Sequence, residues 1–307
     1  MDPRDRVARR AAQRARRRRR RIVALSAVGG VIVVATAAVL LARSGSPATA
    51  PAPTPSYEAA TPSRTATAPV ATAVERTATT PARDRTAAAS AQRITPARPG
   101  VASVITEGPR SAGRTVALTI DDGTCASCVA RIVSVLEKTG GKATLFPNGI
   151  YGSSWEPHAK RIRALVQKGQ VTLGNHTYSH GVSTQIGAAA FAADLQRNEE
   201  WIQKTFRLTG RPWFRPPYGD HNASIDAAAG AKGYRKVIMW SGTVADSQPR
   251  SEGYILDAID YWARPGAIIL MHANYPATAK ALPKILARLE KKGLKPVTLA
   301  EMLGPGT

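Results

Sequence analysis

The chain has 307 residues, of which 43% are apolar types and 21% charged, with a formal net charge of +22 at neutral pH. Only two cysteines are present, which excludes a closed four-thiolate zinc module. The charge is concentrated: residues 1–21 hold eleven arginines against Asp2 and Asp5, a run that by itself would suit nucleic acid or anionic lipid.

The next segment of the chain decides between the two. Ile22 to Ala42 carries no charged residue, and about 21 residues at a rise of about 1.5 Å span roughly 31 Å, the hydrocarbon thickness of a bilayer. Arginines flanking one end predict that end to be cytoplasmic and the remaining chain to be outside. A cleaved signal peptide is the alternative, but its apolar region should be only about 7–15 residues long. Here the run is longer, and the candidate cleavage site Ala48-Thr49-Ala50 is followed by Pro51. The expected organisation is a basic cytoplasmic tail over 1–21 and a single transmembrane helix over 22–42.

Residues 43–109 are dominated by Ala, Thr, Pro, Ser and Arg. Such a stretch lacks the apolar surface to offset the entropy of ordering it, so a disordered linker is expected there. There is no internal repeat. Residues 110–307 should form one domain with a substantial core.

Within that domain, Arg114–Ile120 reads as a strand stopping at Asp121-Asp122-Gly123, and Val129–Lys138 has helical spacing. Cys125 and Cys128 lie between them. An exported compartment favours a disulfide between the two, with a pair of free thiols the other reading. Ala143–Phe146 reads as a strand, Pro157–Lys168 as a helix ended by Gly169, and Val171–Leu173 as a strand running into Gly174-Asn175-His176. A long amphipathic helix, Ala188–Phe206, precedes strand-like Trp213-Phe214. Then come helix Ala223–Lys232, strand Lys236–Trp240, helix Ile255–Trp262 and strand Ala267–Leu270, which ends at Met271-His272. Helix Lys280–Lys292, strand Lys295–Thr298 and a closing Leu299–Leu303 segment complete the chain. Strand–helix alternation repeated about seven times predicts an α/β fold of parallel strands with helical crossovers.

Four strings stand where a predicted strand ends: TIDDG (Thr119–Gly123), HTYSH (His176–His180), RPPYG (Arg215–Gly219) and LMH (Leu270–His272). Asp122, His176 and His180 supply one carboxylate and two imidazoles, a set that suits a divalent metal, zinc first, and leaves positions for water and substrate. Asp121 is then free to act as a base beside the metal, and His272 titrates in the range of a general acid. Singly, each string has a plain structural reading: a DDG turn, solvated histidines, a proline-fixed bend, a core histidine. In a β/α barrel the loops after the strands converge on one face, which would bring all four together. His158 and His221 match no motif position and are read as structural.

On these strings, residues from about Thr115 to Leu303 resemble the polysaccharide deacetylase (NodB homology) domain, carbohydrate esterase family 4. The resemblance implies a distorted (β/α) barrel. It implies Asp121 as catalytic base, Arg215 pairing with it, and Asp122, His176 and His180 as metal ligands. It gives the backbone N–H of Tyr218 to the oxyanion, Leu270 to the acetyl-methyl pocket, and His272 to general acid catalysis tuned by Asp246. It implies a metal cofactor, zinc before cobalt or manganese, and an acetylated polysaccharide as substrate. One family segment is altered here: Trp240–Ser247 reads WSGTVADS, with Thr243 and Ser247 where an Asp and an aromatic are usual. Trp240 is assigned to the core, leaving Tyr218 and Trp155 as candidate sugar platforms.

The expected function is therefore removal of acetyl groups from N-acetylglucosamine of cell-wall polysaccharide, most readily peptidoglycan, by a membrane-held domain facing outward. The alternatives are action on chitin-type or O-acetylated polysaccharide, or a non-catalytic glycan-binding envelope protein. No nucleic acid and no protein partner is expected, because the basic tail abuts an apparent span and the core carries no nucleic-acid motif.

Overall fold

The computed structural model describes residues 92–304; the basic tail, the expected membrane span and most of the expected linker lie outside these. In chain order the elements are β1 (Ser103–Ile105), β2 (Thr115–Asp122), α1 (Ala126–Thr139), β3 (Ala143–Pro147), α2 (Gly152–Trp155), α3 (Ala159–Gln167), β4 (Val171–Leu173), α4 (Ser183–Ile186) and α5 (Ala188–Phe206). They continue with β5 (Trp213–Phe214), α6 (Ala223–Ala231), β6 (Lys236–Ile238), β7 (Gly242–Thr243), α7 (Glu252–Trp262), β8 (Ile268–His272), α8 (Pro276–Lys291), β9 (Lys295–Val297) and α9 (Leu299–Leu303). Among the described residues no helix is long and apolar enough to cross a membrane.

Every strand pair is parallel, as the α/β class requires. One sheet runs β4-β3-β2-β8-β7 with β9 also on β2, and a second runs β1-β6-β5. A parallel bridge from Asn175 to Phe214 ties the exit of β4 to β5. β2 is central, and Val116 to Ile120 are all buried, the continuous apolar run expected of a strand covered on both faces. α1 turns Val129, Ile132, Val133 and Leu136 into the core, each worth about 1.5–3 kcal/mol on full burial.

The helix starts depend on short polar caps. The Asn222 side chain accepts from the N–H groups of Ser224 and Ile225, and Ser251 and Thr298 cap α7 and α9 in the same way, each such cap worth about 1 kcal/mol. Cys125 and Cys128 form a disulfide at the start of α1. The Cys125 Sγ accepts from the Cys128 N–H at 3.2 Å, so the bridge also caps the helix.

Three expectations are corrected. The first strand runs on through Asp121 and Asp122, because β3 pairs with both residues and β8 with Asp121 on the other side. The described residues hold nine strands rather than about seven, β1 and β7 being too short to show a period. The boundary at Arg110 lies inside the folded unit. Gln92 is buried, donating to the carbonyls of Leu173 and Thr209 and accepting from the Leu173 N–H, and β1 pairs residue for residue with β6.

Candidate active site

The parallel ladder places Asp121 directly beside His272, on neighbouring strands. Two positions earlier on β2, and so on the same face, Thr119 points toward the same partner as Asp121. That partner is Arg215, fully buried just after β5. Its Nη1 donates to Asp121 Oδ1 at 2.9 Å and to Thr119 Oγ1 at 2.7 Å. Nε and Nη2 donate to the carbonyls of Ile238 and Met239. The guanidinium also lies over the Phe146 ring, 4.6 Å from its centroid. A buried cation with four hydrogen bonds, one of them to a carboxylate, is fully compensated, and Asp121 Oδ2 is left facing His176 Nε2 at 3.7 Å.

Asp122 turns away from its neighbour because its backbone is left-handed, with φ of 68°. Its Oδ1 lies 3.3 Å from His176 Nε2 and 3.1 Å from His180 Nε2. The ligand atoms of these three residues lie within 4.8 Å of one another. The His176 Nδ1–H donates to the Arg215 carbonyl at 2.7 Å, which leaves Nε2 with its lone pair inward. The Asn148 amide holds the carbonyls of His176 and Thr177, fixing the loop behind the ring. Asp122 Oδ1 is buried and has no hydrogen-bond partner. Three acceptor atoms converging on one point fit a divalent cation. Burial opposes charge on Asp122, but the closeness and charge of the His176 and His180 rings hold its carboxyl well below the usual range.

On the other side of Asp121, His272 Nδ1 is 2.8 Å from Asp246 Oδ1, and the His272 N–H donates to Asp246 Oδ2 at 3.0 Å. Thr278 Oγ1 donates to the same Oδ2 at 2.5 Å. Burial alone would lower the pKa of His272. The hydrogen bond and charge of Asp246, reinforced by Asp121 and Asp122, overcome it and push the imidazole up to about 9. Leu270 is buried on the same strand, opposite Thr119 and Thr243.

Tyr218 stands in a left-handed turn with φ of 59°, its side chain 64% exposed and its ring edge-on to His180 at 4.7 Å. It remains an available platform beside the metal cluster. Trp155 does not. It is fully buried, and its Nε1 donates to the Asp122 carbonyl at 2.8 Å, so it shapes the β2 turn from below. Trp240 is half-buried, packed against the apolar cluster around Phe146 and Trp213, 5.8 Å from the Arg215 guanidinium. His221 pairs with Asp226 at 3.0 Å, and His158 lies beside Arg161; neither joins the site.

The structure thus gathers Arg215, the three metal-ligand candidates, and His272 with Asp246 around Asp121. It adds Thr119, Asn274 and Thr278, to which the motifs assign no role. Thr119 was findable: it precedes Asp121 by two on a strand, the spacing that shares a face. Asn274 and Thr278 carry no such signal, since their roles depend on the turn after β8.

The polysaccharide deacetylase family model matches residues 108–237, a stretch holding all these groups except Asp246, Leu270, His272, Asn274 and Thr278. A peptidoglycan-N-acetylglucosamine deacetylase of Bacillus cereus is 30% identical over 193 residues, covering 61% of this chain and 67% of that protein. The peptidoglycan-N-acetylglucosamine deacetylase PgdA of Listeria monocytogenes is 28% identical over 191 residues, 62% of this chain and 39% of that protein. Among solved structures, a family 4 carbohydrate esterase from Streptomyces lividans in complex with acetate superposes with a TM-score of 0.55 at 29% identity, over 64% of this chain and 97% of that one. A Bacillus anthracis chain described as a family 4 pseudoenzyme superposes with a TM-score of 0.58 at 25% identity, over 66% of this chain and 69% of that one. Fold and site define a parallel α/β scaffold built around an Asp/His/His cluster. This chain belongs to the polysaccharide deacetylase family, carbohydrate esterase family 4. It spans about two fifths of the length of the Listeria relative.

Proposed function

We propose that this protein is a metal-dependent deacetylase that removes acetyl groups from N-acetylglucosamine residues of cell-wall polysaccharide, peptidoglycan first. The observation that carries this reading is the side-by-side register of Asp121 and His272, with the Asp122/His176/His180 cluster on one side and the Asp246 pair on the other. Two nitrogens and one carboxylate oxygen favour zinc, with cobalt or manganese as substitutes. Bound there, such an ion would polarise the acetyl carbonyl and lower the pKa of the attacking water.

The chain's own residues supply the remaining steps. Asp121, fixed by Arg215 through Oδ1, accepts the proton of the attacking water through Oδ2. The Tyr218 backbone N–H donates to the carbonyl oxygen as it gains charge, an effect worth about 3–4 kcal/mol elsewhere. Leu270 encloses the acetyl methyl. His272 then gives its proton to the departing amine, a poor leaving group until protonated. The strands and helices form a distorted (β/α) barrel whose strand ends gather these groups. The apolar run at 22–42 anchors the domain outside the cytoplasmic membrane.

The purified, zinc-loaded protein should release acetate from peptidoglycan. Asp121→Asn should lower kcat by about 10²–10⁴-fold while zinc is retained. No acetate from any acetylated glycan would overturn the assignment. The altered segment with Thr243 and Ser247 favours a second reading, a non-catalytic glycan-binding protein. Glycan binding without turnover by the metal-loaded chain would establish that one.

A further inference from the structure

A carboxylate ligand can rotate, chelate through both oxygens or swing away, so something must select which oxygen of Asp122 faces the two imidazoles. Oδ2 is taken by Asn274, whose Nδ2 donates to it at 2.6 Å. Oδ1 is left buried and unpartnered between the histidine Nε2 atoms. The orientation of the Asn274 amide is itself fixed. Its Oδ1 accepts from the N–H of Thr124 at 3.1 Å and of Gly123 at 3.3 Å, and from Thr124 Oγ1 at 3.0 Å. Backbone N–H groups only donate, so the oxygen must face them and the amide N–H₂ must face Asp122.

Asn274 lies two residues beyond His272, on the loop that leaves β8. The Cys125 N–H donates to the carbonyl of the intervening Ala273 at 3.3 Å. One amide therefore links the loop that carries the metal-side carboxylate to the loop beyond the acid. An aspartate of the same shape would accept the same N–H groups and repel Asp122 instead.

We propose that Asn274 is a positioning residue for the metal site: it pins Asp122 Oδ2 and so aims Oδ1 at the cation, locking the turn after β2 to the turn after β8. This rests on the metal-dependent function proposed for the Asp122/His176/His180 cluster, and its test does not require turnover. Zinc affinity is measured by competition with a chromophoric chelator, and the coordination sphere by the visible spectrum of the cobalt-loaded protein. Asn274→Ala is expected to weaken zinc binding about 10- to 100-fold, the usual cost of losing such a partner, and to change the shape of the cobalt bands. Parent-like affinity and spectrum in the folded variant would overturn the proposal. Should Asn274→Ala not fold, Asn274→Asp keeps the acceptor for Gly123 and Thr124. An altered cobalt spectrum in that variant supports the proposal, and an unchanged one overturns it. A parent protein that binds zinc tightly but releases no acetate sinks the deacetylase reading alone.

Discussion

At the scale of single residues, the site separates two acid–base roles by surroundings rather than by residue type. Asp121, the proposed base, is held by a cation, the Arg215 guanidinium at 2.9 Å. His272 is held by an anion, Asp246, and stays an acid up to about pH 9. Removing the charge of Asp246 destabilises the imidazolium, so Asp246→Asn should move the alkaline limb of the kcat/KM profile to lower pH. A pH–rate profile over the alkaline range checks this; an unmoved limb would detach Asp246 from the acid. The two neighbouring aspartates had identical sequence credentials. What divides their roles is the left-handed backbone at Asp122, which sends consecutive carboxylates to different partners.

At the scale of elements, the turn after β2 is tightly constrained. Gly123 has φ of +116°, and a Cβ there would lie 2.1 Å from Trp155 Nε1, the group bonded to the Asp122 carbonyl. Gly123→Ala should therefore destabilise by about 1–3 kcal/mol from backbone conformation alone, with the indole clash added. Urea unfolding measures it, and a variant as stable as the parent would show that the turn needs no glycine. Long elements were legible: α5 runs over Ala188–Phe206 as its apolar spacing predicts, because period and capping are local properties. β1 and β7 were not. Strands of three and two residues carry no detectable period, and only their partners β6 and β8 make them strands. Trp155 misleads for a related reason, since an aromatic after a glycine-rich turn looks available until the neighbouring chain covers it.

For the whole molecule, the folded unit reaches back at least to Gln92, whose side chain bridges the Leu173 and Thr209 backbones. A fragment beginning at Arg110 would lose that clamp and strip β1 from β6. It should melt several degrees below one beginning at Gln92, given that each lost kcal/mol shifts Tm by about 2–4 °C in a domain of this size. Equal melting temperatures by calorimetry would show the segment to be dispensable. Behind the histidine loop, the buried Glu199 accepts from Tyr234, Thr209, Arg211 and the Gly210 N–H, and Tyr234 in turn accepts from Asn175. This network anchors the loop that carries His176 and His180. Nothing in the spacing of those residues announced it.

The sequence by itself determined the class of fold, the order of its long elements and the chemistry of the strand-end strings, because side-chain type, period and turn residues are written locally. Tertiary structure alone decided that Gln92 packs into the folded unit, that Arg215 also bonds Thr119 and the Ile238 and Met239 carbonyls, that Trp155 supports the turn after β2 from inside, and that Asn274 and Thr278 bond the aspartates that the motifs supply. Each of these depends on residues far apart in the chain being pressed together, and no local pattern encodes which distant donor will meet a given acceptor.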